Sequence, residues 1–359
     1  MQLSQDMTTQ DFEHLLDLHK ANPDDVDFIT NIALVLMCNY HLNDEFGEDI
    51  KYFELAYKTK QTIETMHNYA FWLYFKYGHR NENQKLALKI QKECTKLHPD
   101  SYMPFLALAR MYLDKKQFQN AITQYLTAKK MVNDEVLEKK IEHQIGCAYY
   151  GLAEYKIARN IFKSLPFERS LHNWVYCNLQ LNDQSNFIAS MVANELHLKS
   201  GTADESCYND LAYFCALNGQ YKQAYHYLLK EHTEDVDSMR GMLYSTEFAY
   251  TIWLENRQLF TELITDEVEN NQKCINEIRQ NHKDWQHLDE ETKLQEIKDF
   301  QSDNEKYQQM DHQFLQSKPI FDMPDANWEW TGCLIFGCIA CKLPRYIESS
   351  TKLIDSIAP

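Results

Sequence analysis

The feature that most constrains this chain is a pattern of small and bulky apolar residues that recurs along much of its length. The pattern is clearest in residues 102–135, at Phe105, Leu108, Ala109, Tyr112, Phe118, Ala121, Tyr125 and Ala128. Small residues such as Ala109 and Ala121 let two antiparallel helices approach closely, and the bulky residues fill the seam between them. The pattern therefore predicts a helix, a tight turn and a second helix that pack together.

The same places are occupied again further along the chain. From Lys139 they hold Ile145, Gly146, Tyr149, Tyr155, Ala158 and Phe162, and from Glu205 they hold Tyr208, Leu211, Ala212, Gly219, Tyr221, Ala224 and Leu228. This spacing resembles the tetratricopeptide repeat, a helix-turn-helix unit of about 34 residues. The resemblance covers roughly residues 25–265. It implies an all-α fold, a right-handed superhelix of antiparallel helix pairs.

Composition agrees with a helical fold, because the chain has only nine glycines and eight prolines in 359 residues. Four segments are predicted along it. They are N-terminal capping helices with a divergent repeat (1–63), the repeat array (64–265), an acidic long helical hairpin (266–318) and apolar C-terminal cap helices (319–359). Chains with so few turn residues do not form turn-dense β-sandwiches or barrels.

The last segment has three open interpretations. We expect one helix through the apolar run 328–342 and a final helix from Pro344. These helices would cap the array, fold back into its groove as an intramolecular ligand, or pair two chains as a homodimer. The sequence favours the first of these, since terminal repeats need a cap.

The net charge limits the classes of molecule that we expect this chain to bind. The net charge is −17, so phosphate backbones are repelled and nucleic acid is disfavoured as a partner. Residues 61–170 nevertheless hold 17 Lys and Arg against 11 Asp and Glu, between more acidic flanks. These flanks favour a protein or peptide partner with a basic surface.

The location predicted from the sequence is cytoplasmic. The first residues show no basic and apolar export signal, and no apolar run reaches the roughly 18–20 residues of a membrane span. Ten scattered cysteines in helical segments are typical of free thiols in a reducing compartment. No membrane association is expected.

The sequence contains no recognisable catalytic or cofactor-binding motif. There is no Gly-rich phosphate loop, GxSxG or HExxH motif, so we expect no enzyme activity and no cofactor. Cys338 and Cys341, with Cys333 nearby, form the only close cysteine group, and no second pair complements them. Because zinc usually needs four ligands, we expect no metal site.

Protein binding is the function that the resemblance implies. In such arrays, side chains of the first helix of each pair line the concave groove. The corresponding positions here are Asn68, Trp72, Phe75, Met103, Leu106, Arg110, His143, Tyr150, His172, Tyr176, Asn209 and Tyr213. Aromatic side chains together with Arg and Asn are typical of binding hot spots.

Two alternatives to a scaffold or adaptor remain open. The first is an immunity or inhibitor protein that sequesters a toxin or regulator, which the acidic charge favours. The second is an enzyme with an unrecognised site on the helical scaffold, in which an interior histidine such as His143 or His172 takes part.

Overall fold

The computed structural model describes residues 7–39, 42, 47–201, 207–232, 236–329, 331 and 333–341. Every regular element within them is helical, so the prediction of an all-α fold is confirmed. The α-helices are α1 Thr9–Ala21, α2 Val26–Cys38, α3 Glu48–Thr59, α4 Ile63–Phe75, α5 Asn81–Leu97, α6 Tyr102–Asp114, α7 Phe118–Lys129, α8 Glu135–Gly151, α9 Tyr155–Lys163, α10 Glu168–Gln180, α11 Gln184–Lys199, α12 Tyr208–Leu217, α13 Tyr221–Glu231, α14 Val236–Met239, α15 Thr246–Glu255, α16 Arg257–Arg279 and α17 Glu290–Gln316. In this described part of the chain, no helix is both long and apolar enough to cross a membrane.

The chain divides into two compact units. Unit 1 comprises the described residues up to Ile161 together with those from Trp328 onward, and unit 2 comprises Phe162–Asn327. Unit 1 is therefore built from both ends of the chain.

The turns inside four helix pairs share one geometry. Each contains a residue with positive φ, namely Lys116 (53°), Ala153 (60°), Asn182 (50°) and Gly219 (73°). The N–H of the following residue donates to the carbonyl five residues earlier, at 2.8–3.0 Å in all four turns. This is the Schellman arrangement, which satisfies the last carbonyls of a helix while the chain reverses. Its recurrence supports the repeat pattern found in the sequence.

Small residues of the repeat pattern lie where paired helices touch in unit 1. Ala109 on α6 and Ala121 on α7 are fully buried, and the Tyr125 ring fills the seam beside them. The Tyr74 hydroxyl on α4 donates to a carboxylate oxygen of Asp114 at 2.8 Å, which links neighbouring pairs. Burial of each large apolar side chain stabilises the fold by about 1.5–3 kcal/mol.

Capping residues begin the helices that position the candidate site. Thr62 and Thr65 form a capping box at the start of α4, and Asp134 accepts a hydrogen bond from the Leu137 N–H at the start of α8. Such caps satisfy N–H groups that the helix itself leaves unpaired, at a gain of about 1 kcal/mol each.

Unit 2 contains the predicted long hairpin, formed by α16 and α17. Asp289 caps α17 by accepting from the Thr292 N–H at 2.7 Å, as its position before two glutamates indicates. Asn271 and Asn304 join the two helices by a hydrogen bond of 3.0 Å between their side chains.

The predicted helix through residues 328–342 is wrong. The described residues 317–329, 331 and 333–341 contain no helix. Their main chain finds hydrogen-bond partners on side chains of other helices, so it does not need helical bonds of its own. The final helix expected from Pro344 lies outside the described residues.

Candidate functional site

The non-helical residues 317–329, 331 and 333–341 are hereafter called the C-terminal stretch. In unit 1, a buried asparagine on α4 binds the main chain of this stretch. The Asn68 side chain donates from Nδ2 to the Phe336 carbonyl at 3.0 Å and accepts from the Phe336 N–H at 2.9 Å. Asn68 itself is fully buried. One amide side chain therefore satisfies both main-chain groups of one residue, in the manner of a neighbouring strand.

A buried histidine next to it extends this contact. His67 Nε2 is hydrogen-bonded to the Leu334 carbonyl, while its Nδ1 accepts from Gln91 Nε2 at 3.1 Å. Gln91 Nε2 also lies 3.0 Å from the Pro104 carbonyl. Burial lowers the pKa of His67 to about 4, although the Leu334 carbonyl opposes the shift. The ring is therefore neutral, with its proton on Nε2 facing the stretch.

Side chains on α6 and α8 hold the first residues of the same stretch. Gln144 Nε2 donates to the Glu329 carbonyl, and Lys140 Nζ lies 3.8 Å from a Glu329 carboxylate oxygen. The Arg110 guanidinium lies 4.8 Å from the Phe75 ring centroid and 6.0 Å from that of Trp328. The α4, α6 and α8 surface of unit 1 is hereafter called the groove face.

Apolar side chains of the stretch are buried in unit 1. Leu334, Ile335, Phe336 and Cys338 join the core formed by α2 to α8, each 6% exposed or less. The Phe336 ring meets His67 edge to face at 5.1 Å between centroids. The groove face thus combines main-chain recognition with pockets for apolar side chains.

Unit 2 contains a second paired contact of the same kind. The Asn173 side chain on α10 donates to the Asn327 carbonyl at 2.8 Å and accepts from the Asn327 N–H at 2.7 Å. Upstream in this unit, Lys318 Nζ lies over the Tyr221 ring at 5.3 Å, and the Phe321 ring lies 6.2 Å from that of Tyr250.

Two of the predicted partner-binding residues contact the C-terminal stretch of unit 1, namely Asn68 and Arg110. The Phe75 ring packs against the Arg110 guanidinium. The Trp72 Nε1–H instead donates to Asp49 of α3 at 2.8 Å. Four others are buried within unit 1, and these are Met103, Leu106, His143 and Tyr150.

The predicted residues of unit 2 contact other helices of that unit. His172 and Tyr176 both pack edge to face on Phe214. Burial lowers the pKa of His172, although Asp210 and Glu168 oppose the shift. Asn209 is bonded to His232 at 3.2 Å, and Tyr213 lies against Phe248.

Sequence reasoning missed three residues that hold the C-terminal stretch: His67, Gln144 and Asn173. A usable signal was present, because an amide side chain inside an apolar helix must find a hydrogen-bond partner when it is buried. Gln144 and Asn173 follow directly after the predicted His143 and His172.

A group of cysteines lies at the end of the same stretch. The Sγ atoms of Cys333, Cys338 and Cys341 lie within 4.8 Å of one another. Hydrogen bonds from the thiols of Cys333 and Cys38 lower the pKa of Cys338. Cys38, the last residue of α2, was not associated with this group at the sequence level, because almost 300 residues separate them.

No protein-family model matches this chain, and no curated protein is significantly similar to it.

Proposed function

We propose that this chain is a non-catalytic protein-interaction module of tetratricopeptide type, whose groove face binds a segment of a protein or a peptide. The observation that carries the proposal is the pair of hydrogen bonds between Asn68 and the main chain of Phe336. Bonds to main-chain groups do not depend on the ligand's side chains, so the same surface suits a non-helical segment of another molecule.

The chemistry of the groove face indicates what the ligand carries. Buried sites now filled by Leu334, Ile335 and Phe336 favour consecutive apolar residues. Arg110 and Lys140, which face Trp328 and Glu329, favour an aromatic residue and a carboxylate five to eight positions earlier.

The basic partner predicted from net charge fits a different part of the surface. Residues 1–60 and 171–325 carry the acidic excess, whereas the groove face presents the two cations named above. We propose that the partner carries both features, an apolar segment for the groove face and a basic surface. A cytoplasmic location remains part of this proposal.

The chain's own residues 328–341 act in this proposal as a stand-in for the ligand. Because this segment belongs to the same chain, it competes with a partner at a high effective concentration. A partner must therefore displace it, and the full-length protein binds weakly until this occurs.

The test is binding of a fluorescent synthetic peptide of residues 326–341, followed by anisotropy. In the full-length Phe336→Asp variant the buried charge expels the chain's own stretch. We expect this variant to bind the peptide at least about tenfold more tightly than the wild-type protein, whose groove face is occupied.

Two further variants control the experiment. Adding Asn68→Ala to Phe336→Asp removes the main-chain contact and is expected to abolish peptide binding. Adding Asn276→Ala, an exposed position on α16, is expected to change nothing. If the folded Phe336→Asp protein does not bind the peptide, residues 328–341 are an ordinary part of the core and the proposal fails.

A further inference from the structure

Four cysteine sulfurs from two distant parts of the chain meet in unit 1. Cys333, Cys338 and Cys341 are mutually within 4.8 Å, and the Cys38 thiol at the end of α2 is hydrogen-bonded to the Cys338 sulfur. Cys38 also packs against the core cluster that contains Cys338. Three of the four sulfurs therefore surround Cys338.

The local backbone is shaped to bring the sulfurs together. Gly337 has φ of 72°, a left-handed conformation that favours glycine, and the Cys338 N–H donates to the Ile335 carbonyl at 3.2 Å. This turn places Cys333 and Cys338 side by side, and the next turn returns Cys341 to them. The C-x4-C-x2-C spacing thereby becomes one compact group.

We propose that Cys38, Cys333, Cys338 and Cys341 bind one Zn²⁺ ion in a tetrahedral, four-sulfur structural site. With Zn–S bonds of about 2.3 Å, the sulfurs of a tetrahedron are roughly 3.8 Å apart, a separation compatible with the 4.8 Å limit that encloses the sulfurs of Cys333, Cys338 and Cys341. Soft thiolates in a set of four select zinc over magnesium or calcium. Each thiol releases its proton to solvent as the ion binds.

The ion would join the C-terminal stretch to α2, at the end of the groove face where Phe336 is held. The site is a consequence of this chain's own residues and does not depend on the proposed binding function.

Element analysis of the full-length protein, purified without chelators, tests the site directly. We expect one equivalent of zinc per chain. Cys341→Ser alters an exposed side chain and leaves the core intact, so its folding is preserved, and we expect it to lose the ion. Cys338→Ser is expected to do the same, whereas Cys274→Ser, on α16 in unit 2, keeps a full equivalent.

Cobalt replacement provides a second measurement. After zinc is removed under reducing conditions, added Co²⁺ is expected to produce the visible absorption of a tetrahedral site and sulfur-to-cobalt charge transfer, and Cys341→Ser is expected to abolish both. Zinc-free wild-type protein, full zinc retention by Cys341→Ser, iron with labile sulfide, or a Cys–Cys disulfide in the native protein would each overturn the proposal.

Discussion

Unit 1 and unit 2 each hold a stretch of the C-terminal chain through one asparagine, but the surroundings of the two contacts differ. Asn68 and Phe336 are both buried, and the flanking Leu334 and Ile335 are buried with them. In unit 2, Asn327 is half-buried, and Ile320 upstream of it is 92% exposed. Because hydrogen bonds to water compete only where water has access, the same pair of bonds contributes differently in the two units.

This difference distinguishes the contacts that position the C-terminal stretch from those that stabilise it. Paired hydrogen bonds from an amide set the position of a non-helical chain in both units. Buried apolar side chains of the C-terminal stretch provide most of the free energy, and they are concentrated in unit 1. Four expected outcomes would sharpen or contradict this comparison, and they are given from the largest effect to the smallest.

Truncation of one buried aromatic residue is expected to have the largest effect. Phe336→Ala leaves a cavity against His67 and should lower the free energy of unfolding by about 3–5 kcal/mol. Phe321→Ala, at a half-buried ring in unit 2, should lower it by roughly 1 kcal/mol. Urea denaturation of both variants measures the two losses, and equal losses would remove the distinction between the units.

Acidification is expected to weaken unit 1 through His67. The folded pKa is about 4 against an ordinary value of 6.5, so the unfolded chain binds the proton first as pH falls. Stability from this residue is complete above pH 6.5 and falls toward pH 4, by up to about 3 kcal/mol. Stability measured against pH should lose this component in His67→Gln.

His172 in unit 2 serves as the comparison for that experiment. Its pKa is also lowered by burial, but Asp210 and Glu168 act in the opposite direction. His172→Gln should therefore change the pH dependence less than His67→Gln does. A larger change at His172 would show that unit 2 is the acid-sensitive part.

Removal of each asparagine tests the main-chain contacts themselves. Asn68→Ala leaves the buried N–H and carbonyl of Phe336 without partners and should cost about 2–3 kcal/mol. Asn173→Ala should cost about 1 kcal/mol, because water reaches Asn327. Hydrogen exchange read by mass spectrometry should show faster exchange at residues 333–341 in the first variant only.

Loss of the ion pair on α8 is expected to have the smallest effect. Glu329→Gln removes the partner of Lys140, in a pair whose side chains are 18% and 25% exposed. The free energy of unfolding should fall by about 0.5 kcal/mol, and less at high salt. A loss above that of Asn68→Ala would mean that charge, rather than main-chain contact and burial, holds the stretch.

Helical elements were predictable because their signals are local. The apolar pattern around Ala109 and Tyr125 repeats at helical spacing, and the sharp turns recur at Ala153, Asn182 and Gly219. Asp289, which caps α17, stands directly before two glutamates in the sequence and is a signal of the same local kind. Capping, turn formation and amphipathic spacing each involve residues within a few positions of one another.

The site was predictable only in part. Asn68 and Arg110 were identified as groove residues, but Gln144 and Asn173 were missed in favour of their neighbours His143 and His172. Adjacent helical positions differ in direction by about 100°, so a small rotation of α8 or α10 decides which side chain reaches the ligand. That rotation depends on packing against other helices, which spacing alone does not specify.

What the sequence by itself determined was the all-α character of the fold, because helical spacing depends on neighbouring residues. Only the tertiary structure decided that residues 333–341 cover the groove face as a non-helical chain, and that Cys38 lies beside Cys338. The physical reason is that an apolar run satisfies its main chain either by its own helical bonds or by side chains from elsewhere. In this protein the side chain of Asn68, which precedes Phe336 by 268 residues, satisfies the main chain of Phe336.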